Sequence, residues 1–456
     1  MSFINIAFSG IQAAQAGMSV TSMNIANMLT PGYSRQGIVQ LSVGPLGDTG
    51  LTAGNGVQVA SIRRISSQYL IHQVWQTSSR ASYYEMGGQY LSSLEKVIST
   101  DSTSLGTGLD EFFASLSALT TQPENLANRQ ALLNQANTLA TRFNNMNDFI
   151  EGQKNSVNTQ REAVVEQMNT LSAGIADYNT KIAQMEATGA NSSALKDQRD
   201  ELVRQLSSLA DVKVTEDGNG AYTVSMQGGQ PLVSGGVAGK VSIDIDATGQ
   251  PVLNLNFANS KFTLSPSAGG ELGALYDYET GTLKQMQESI KGLAEAMSTL
   301  FNEQLAKGFD LNGQQGKPLF IFDPTSTTGM LKVADLKPEE IALSDSPDDH
   351  GNGNNLQQLL ELKNTQTDIN GLGTMSLNDG AAAIISAVGI ASKKNTTEME
   401  AAQAVRDQAQ LQRDNLSAVN QDEEAVNLQV YMQAYQANVK VISTGSQIFS
   451  DLLALF

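Results

Sequence analysis

LANRQALLNQANTLATRFNNMNDFIEGQKNSVNTQREAVVEQMNTLSAGIADYNTKIAQM, residues 126–185, sets its apolar side chains at a helical interval. They stand at Leu126, Leu133, Ala136, Phe143, Ile150, Val157, Val164, Met168, Leu171, Ile175, Tyr178, Ile182 and Met185. Steps of three, four and seven keep them on one face of a helix with a 3.5-residue period. Unbroken, such a helix spans roughly 90 Å at ~1.5 Å per residue. Gly152 and Gly174 each cost about 1 kcal/mol in a helix interior, so a bend or break is expected near either. A shaft of this kind is unusual in an enzyme core and common in a structural rod.

Upstream, a helix is expected from about Ser66 to Ile98, burying Tyr69, Tyr83, Met86, Tyr90, Leu94 and Val97, and a shorter one from about Leu109 to Leu119. Gly37 to Ser61, with Gly54-Asn55-Gly56, reads as a loop or short hairpin. Downstream, the composition shifts near Asp211. Val212, Val214, Tyr222, Val224, Val241, Ile243, Ile245, Val252, Leu253, Leu255, Phe257, Phe262 and Leu264 fall in short alternating runs. Asp217-Gly218-Asn219-Gly220, Gly228-Gly229 and Gly235-Gly236 punctuate them as turns, which makes a small antiparallel β domain. Helix resumes from about Gly273 to Lys307, an irregular stretch follows to Asn355, and helices return from about Leu356 and Leu377.

Both ends carry a seam. Ile4, Ala7, Ile11, Ala14, Met18, Thr21, Ile25 and Met28 alternate three and four apart until Pro31-Gly32 stops the helix. Ala425, Leu428, Met432, Tyr435, Val439, Ile442, Ser446, Phe449, Leu453 and Phe456 do the same at the other end. Asn420 with Glu423 fits a capping box there, and Asp422 to Glu424 suit the positive helix start. An ordinary amphipathic helix on a globular core would show Lys and Glu on its outer face. Here the first charged residue is Arg35, and after Glu424 only Lys440 and Asp451 are charged. Helices this uncharged are suited to burial on more than one side. Their few seam side chains do not offset the backbone entropy of ordering some thirty residues. Both ends are therefore expected to be frayed in the single chain and helical in an assembly.

The fold class that follows is mainly α with an inserted small β domain: elongated, with long helices and the N- and C-terminal coiled-coil arms packed together. The expected divisions are an arm at 1–36, a helical shaft with a loop or hairpin at 37–210, and a β domain at 211–270. A returning helix at 271–310, an irregular, reduced outer region at 311–355, a shaft at 356–420 and an arm at 421–456 complete them.

Composition narrows the function. The 456 residues carry a net charge of −18, from 46 acidic and 28 basic side chains, so nucleic acid and anionic lipid are poor partners. Without cysteine there is no disulfide, thiolate nucleophile or thiolate-bound metal. His72 and His350 lie far apart, and aromatic residues make up only 6%, low for a protein that stacks small molecules. Met1 to Gly17 lacks the pattern of a secretory signal, and no run approaches the ~18 apolar residues of a membrane span. Lys240 after Gly239 opens no P-loop, and Gly218-Asn219-Gly220 is a turn rather than a dinucleotide fingerprint. Asp310-Leu311-Asn312-Gly313 lacks the later ligands of a calcium loop. Asp244 and Asp246 read as solvated carboxylates and His72 as a packing residue. No catalytic residue, cofactor or metal ligand is expected.

Asn24-Ile25-Ala26-Asn27 with Thr30-Pro31-Gly32-Tyr33-Ser34-Arg35-Gln36 resembles the opening signature of flagellar rod, hook and hook-associated proteins. Its signature residues are Asn27, Thr30, Pro31, Gly32, Tyr33, Arg35 and Gln36. Tyr435 to Thr444 resembles the terminal helix of that group. Leu195 to Leu202, Lys307-Gly308-Phe309-Asp310, Pro318-Leu319-Phe320 and Val419 to Glu424 are most similar to the hook-associated protein 1 family, the first hook–filament junction proteins. Gln421 departs from the apolar residue usual there, and the chain is shorter than many relatives, with the reduction expected between Pro318 and Ser344. The resemblance implies a structural subunit of the hook–filament junction and no enzyme. It implies export in unfolded form by the flagellar type III route, with a cytoplasmic chaperone on the carboxyl-terminal helices. Its implied partners are hook protein, the second junction protein and further copies of itself in a ring, with no nucleic acid and no membrane insertion. The terminal seams would form the inner coiled-coil tube, and the location is the extracellular flagellum after a cytoplasmic stage. The alternative is another axial protein, the second junction protein or a hook subunit.

Overall fold

The computed structural model describes residues 3–44, 54–245 and 251–454. In chain order it begins with α1 (Phe3–Ala26), a hairpin of β1 (Gln36–Ser42) and β2 (Val57–Arg64), and α2 (Gln68–Ile98). α3 (Leu105–Ser117), α4 (Leu126–Ala187) and α5 (Ser193–Leu209) follow. Then come β3 (Val212–Glu216), β4 (Tyr222–Met226), β5 (Pro231–Ser234), β6 (Val237–Ala238), β7 (Lys240–Ile245), β8 (Pro251–Phe257) and β9 (Ser260–Thr263). α6 (Gly270–Asp277) runs through a π-helical segment, Tyr278–Leu283, into α7 (Lys284–Leu305). The remainder is β10 (Phe320–Phe322), β11 (Leu331–Val333), α8 (Asn354–Glu361), β12 (Thr367–Ile369), β13 (Gly373–Met375), α9 (Leu377–Ser417) and α10 (Gln421–Leu453). The fold is mostly helical, with small antiparallel sheets inserted.

α4 carries the 126–185 run as one helix of 62 residues. Of its seam, Leu133, Ala136, Phe143, Ile150, Val157, Val164, Met168, Leu171, Ile175 and Ile182 are buried; Leu126 is exposed. The expected break is not there: α-helix continues through Gly152 and Gly174. At Gly174 a Cβ would come within 3.0 Å of Leu202 Cδ1, so the missing side chain makes room for α5. Gly152 has nothing within 4 Å of that position. α3 starts earlier than the sequence implied, because the Ser104 hydroxyl accepts from the Thr107 amide and caps it there.

The chain divides into two bodies: 1–83 with 164–270 and 401–456, and 84–163 with 271–400. In the first, the β region is two sheets, β3-β4-β5-β6 and β7-β8-β9. The turns are where glycine placed them. Asp217 Oδ1 accepts from the Asn219 and Ala221 amides, and Gly220 and Gly229 hold φ of +74° and +84°. Two asparagines of α4 fasten these sheets. Asn169 exchanges both its amide hydrogen bonds with the Val241 backbone, at 2.9 and 2.7 Å. Asn179 accepts from Tyr222 N and donates to the Tyr222 and Gly235 carbonyls.

In the second body, Phe112, Phe113, Phe301 and Phe320 interlock with centroid separations from 5.1 to 6.2 Å. The expected helix from Gly273 to Lys307 is present, with its π segment turning Tyr278, Glu279 and Leu283 inward, where Arg161 pairs with buried Glu279. The irregular stretch is the β10–β11 hairpin and its flanks. Asn144 pairs with the Leu331 backbone and Asn302 with that of Leu319 and Phe320. Fully buried Arg129 donates to the Pro123, Pro338 and Ile341 carbonyls.

Candidate functional site

The two terminal helices lie side by side in the first body, running antiparallel. A Cβ on Gly10 would meet the Asn438 side chain, one on Gly17 the Tyr431 ring, and one on Gly445 the rings and chains of Phe3 and Ile4. The expected disorder of the ends is thus replaced by a helical pair, in which small residues of one helix admit large ones of the other.

The α1 residues seen against α10 are Phe3, Ile4, Gly10, Gly17 and Asn24, of which only Ile4 belongs to the expected amino-terminal seam. Ala7 and Ala14 are buried, and Ile4, Ile11, Met18 and Ile25 are half-buried. Met28 is exposed and lies beyond the end of α1. On α10 the contact runs along Glu424, Leu428, Tyr431, Tyr435, Asn438, Ile442 and Gly445, the positions of lowest exposure in the helix. Leu428, Tyr435 and Ile442 belong to it. Met432, Val439, Phe449 and Leu453 do not: they face solvent at 46%, 41%, 64% and 61% exposure. Phe456 lies outside the described residues. Tyr431 and Asn438, which lie outside the expected seam, pack against Gly17 and Gly10 instead. Val426, Val430, Val441, Ile448 and Leu452 are exposed as well. Only Glu424 and Gly445 of α10 are fully buried.

The signature segment closes a clasp at the root of this pair. Asn24, 1% exposed, is its centre. Its Oδ1 accepts from the Gln36 amide at 2.9 Å and the Tyr33 hydroxyl at 2.8 Å. Its Nδ2 donates to the Gln36 carbonyl at 2.9 Å and to Glu424 Oε2 at 3.1 Å. One side chain therefore joins α1, β1 and α10. Thr30 N and Oγ1 both donate to Asn27, closing the turn after α1, and exposed Pro31 leads into Gly32. Gly32 takes φ +79°, which only glycine adopts easily, and its carbonyl accepts from Arg413 at 2.8 Å. The Ser34 amide donates to Asp197 at 3.0 Å. Arg35 N donates to the Ser417 carbonyl at 2.7 Å, and its guanidinium meets Glu423 at 2.8 Å. Gln36 Oε1 accepts from Asn191. Asn420 caps α10 as expected, but Glu423 is spent on Arg35 rather than on the reciprocal half of a capping box.

Beneath the clasp is a charged layer built on the Leu195–Leu202 segment of α5. Asp197 and Asp200 of α5 share Arg64 at 3.1 and 2.5 Å. Asp200 also accepts from the Tyr222 hydroxyl, and its carbonyl from the Trp75 indole. Arg199 packs over the Tyr222 ring, 3.3 Å from its centroid, and donates to Asn179 and the Gly220 carbonyl. Burial pushes the Asp197 carboxyl up, against the pull of Ser34 and Arg64. Burial, then the charges of Asp197 and Glu424, push the Tyr33 phenol up to about 12. The signal that could have found this layer is the density of charge in Leu195–Leu202 on a helix whose other face is apolar.

A cavity of about 380 Å³ beside Pro31 and Trp75 is edged by Arg204, Arg406 and Arg413. Arg204 and Arg413 hold Glu201 and Asp414, while Arg406 and Asp407 are ion-paired. His72 stacks on Trp75 at 4.9 Å, and burial lowers its pKa. Asp310 spends its carboxylate on the Asn312 and Gln314 amides. Among the described residues, no group of His, Asp and Glu could hold a metal, and no helix is long and apolar enough to cross a membrane. Asp244 pairs with exposed Lys261, and Asp246 lies outside the described residues.

The comparisons with known proteins bear on the same segments. A model of the flagellar hook-associated protein FlgK helical domain matches residues 91–320. Models of the flagella basal body rod protein and of the flagellar basal body rod FlgEFG protein C-terminal match 4–33 and 412–455, the two sides of the clasp. Flagellar hook-associated protein 1 of Escherichia coli strain K12 is 27% identical, with 99% of each chain covered. That of Salmonella typhimurium is 28% identical over 99% of each, and that of Bacillus subtilis 26% over 97% of this chain and 96% of its own. The structure of the flagellar hook junction protein FlgK from Burkholderia pseudomallei superposes with a TM-score of 0.66 at 17% identity, over 76% of this chain and all of that one. A helical-domain model over half the chain, with rod-type models matching on either side of it, shows that this chain belongs to the flagellar hook-associated protein 1 family.

Proposed function

We propose that the chain is a structural subunit of the junction between flagellar hook and filament, and that it joins its neighbours through α10 and the open side of α1. The observation that carries this reading is the uneven burial of the terminal pair: α1 buries seven residues, α10 two, and Val430, Val441, Ile448 and Phe449 stay in solvent. Isolated exposed apolar residues are ordinary; an almost uncharged helix lined with them is a surface made to be covered. The seam residues Met432, Val439, Phe449 and Leu453, left open by α1, are the ones a neighbour would bury.

In this reading the partners are copies of the chain in a ring, hook protein below and the second junction protein above. Before assembly a cytoplasmic chaperone covers the carboxyl-terminal helix, and the chain leaves by the type III route to the extracellular flagellum. The terminal helices of 1–36 and 421–456 face the axis and the β region of 211–270 faces outward. The relatives are structural flagellar proteins, and the chain is read as one without enzymatic activity. Another axial protein remains the second reading, because the end models are shared by rod proteins; the match over 91–320 favours the junction.

Val441→Asp with Ile448→Asp tests the assignment, since both face away from α1. The expected result is a folded chain, exported into the medium as free subunits, in cells without filaments. Normal swimming by this double variant overturns the proposal.

A further inference from the structure

α1 packs against α10 and against the β1–β2 hairpin. Phe3 lies abreast of Gly445, Gly10 of Asn438, Gly17 of Tyr431 and Asn24 of Glu424. In a helix the residue before each of these stands about 100° round one way, and the residue after it about 100° round the other. Because the two helices run antiparallel, equal rotations turn both to the same side of the pair. Toward the preceding residues, Ser9 meets Gly56 and the Val57 amide, so the hairpin covers α1 there. Toward the following residues stand Ile4, Ile11, Met18 and Ile25, half-buried, opposite exposed Met432 and Val439 of α10. They border an apolar groove along the pair, with exposed Ala425 and Ser446 at its ends.

α10 has a second line of small and apolar residues, on the hairpin side of the pair. Val430, Ala434, Ala437, Val441, Thr444 and Ile448 follow at intervals of four, three, four, three and four, and all are exposed. That is the spacing of a seam made to meet another helix. Val430 to Ile448 covers about 27 Å and Ile4 to Ile25 about 32 Å, at ~1.5 Å per residue. Neither surface contains a charged side chain; Lys440 and Asp451 belong to neither. The exposed apolar residues of α9, which are Ile385, Ile390, Val405, Leu411 and Leu416, do not follow at threes and fours.

We infer that the groove of one copy receives the Val430–Ile448 seam of a second copy, so that neighbours join head to tail as a three-helix contact. Period, length and lack of charge match the two surfaces, and the groove continues the α1–α10 contact already formed within the chain. Groove and seam stand on opposite sides of the helix pair, so each copy offers one to each neighbour. A contact between two different patches, repeated, closes a ring when its rotation allows. The inference rests on the proposed joining role of α10 and goes beyond it by naming which surface meets which.

The absence of cysteine allows a direct test on the full chain where it assembles. Ile11→Cys and Met18→Cys report from the groove; Val430→Cys, Val441→Cys and Ile448→Cys report from the seam. Cells carry each variant alone, or one groove and one seam variant together, and isolated hooks are oxidised with copper phenanthroline. Disulfide-linked dimers should form in at least one groove–seam combination and from no variant alone. Dimers from seam variants alone, or none in any combination, would overturn the inference; the joining role of α10 is judged separately, by the swimming of Val441→Asp with Ile448→Asp. A second measurement on the purified chain does not depend on where a cysteine sits. Met432→Asp with Val439→Asp closes the groove, and Val441→Asp with Ile448→Asp closes the seam. Each double variant alone should lose self-association in sedimentation, whereas their mixture keeps one open groove and one open seam and should form dimers that grow no further. A mixture without dimers, at a concentration where the unaltered chain associates, would also overturn the inference.

Discussion

Asn24, Asn144, Asn169, Asn179 and Asn302 show what a single side chain contributes here. Each stands on a helix or at its end and pairs with the backbone of a strand or an extended segment, so that an edge with unpaired groups is closed by a helix. Asparagine is a poor helix former, and its recurrence in long helices is explained by this second duty. Tyr33 offers a residue-scale prediction. Its hydroxyl donates to Asn24, and burial with the nearby Asp197 and Glu424 charges raises its pKa from 10.0 to about 12. A group whose proton is held more tightly folded than unfolded stabilises the fold while protonated. The contribution of Tyr33 is therefore complete below the unfolded value near 10.0 and is lost as pH rises toward about 12. Tyrosinate absorbance of the native chain minus that of Tyr33→Phe should show one phenol titrating late. A difference curve centred at the ordinary tyrosine value would mean that the clasp is open in solution.

At the scale of the element, α4 allows two glycines in one helix to be separated by cause. Gly152→Ala adds a methyl to open space and removes the entropy penalty of glycine, so it should stabilise the chain by about 1 kcal/mol. Gly174→Ala gains the same term, but its Cβ arrives 3.0 Å from Leu202 Cδ1, so Leu202 must shift, and the net change should be near zero or unfavourable. Paired denaturation curves measure both, and equal stabilisation by the two would show that Leu202 is free to move. The same helix shows what was legible in the sequence. Its extent, the alternating strands after Asp211 and the two seam-bearing ends follow from periodicity, which is a property of neighbours in sequence. Which α10 residues meet α1 is not legible from apolar character, because a helix contact lined by Gly10 and Gly17 takes the bulk of Tyr431 and Asn438 and leaves Met432 and Val439 exposed. The clasp was legible only as a resemblance. Its chemistry joins Asn24 to Glu424 and Ser34 to Asp197, residues hundreds or more than a hundred positions apart, whose meeting depends on the whole fold.

For the whole molecule, charge and apolar surface are kept in separate places, and this fixes how assembly should respond to salt. The chain carries −18, yet α1 has no charged residue and α10 beyond Glu424 has only Lys440 and Asp451. Copies approaching one another repel through the acidic remainder, at distances where the field is screened over about 10 Å in 0.1 M salt and about 3 Å in 1 M salt. The surface proposed to meet a neighbour gains little from ion pairs, so screening has nothing favourable there to remove, while apolar burial persists. Self-association of the purified chain, followed by sedimentation at fixed protein concentration, should therefore strengthen as sodium chloride rises from about 0.05 to 0.5 M, a range in which the screening length falls severalfold. The pair Arg35–Glu423 is exposed and should be indifferent, as surface pairs generally are. Association that weakens over this range would mean that neighbours are held by complementary charge, and the contact would then have to be sought on the acidic body instead of along α10.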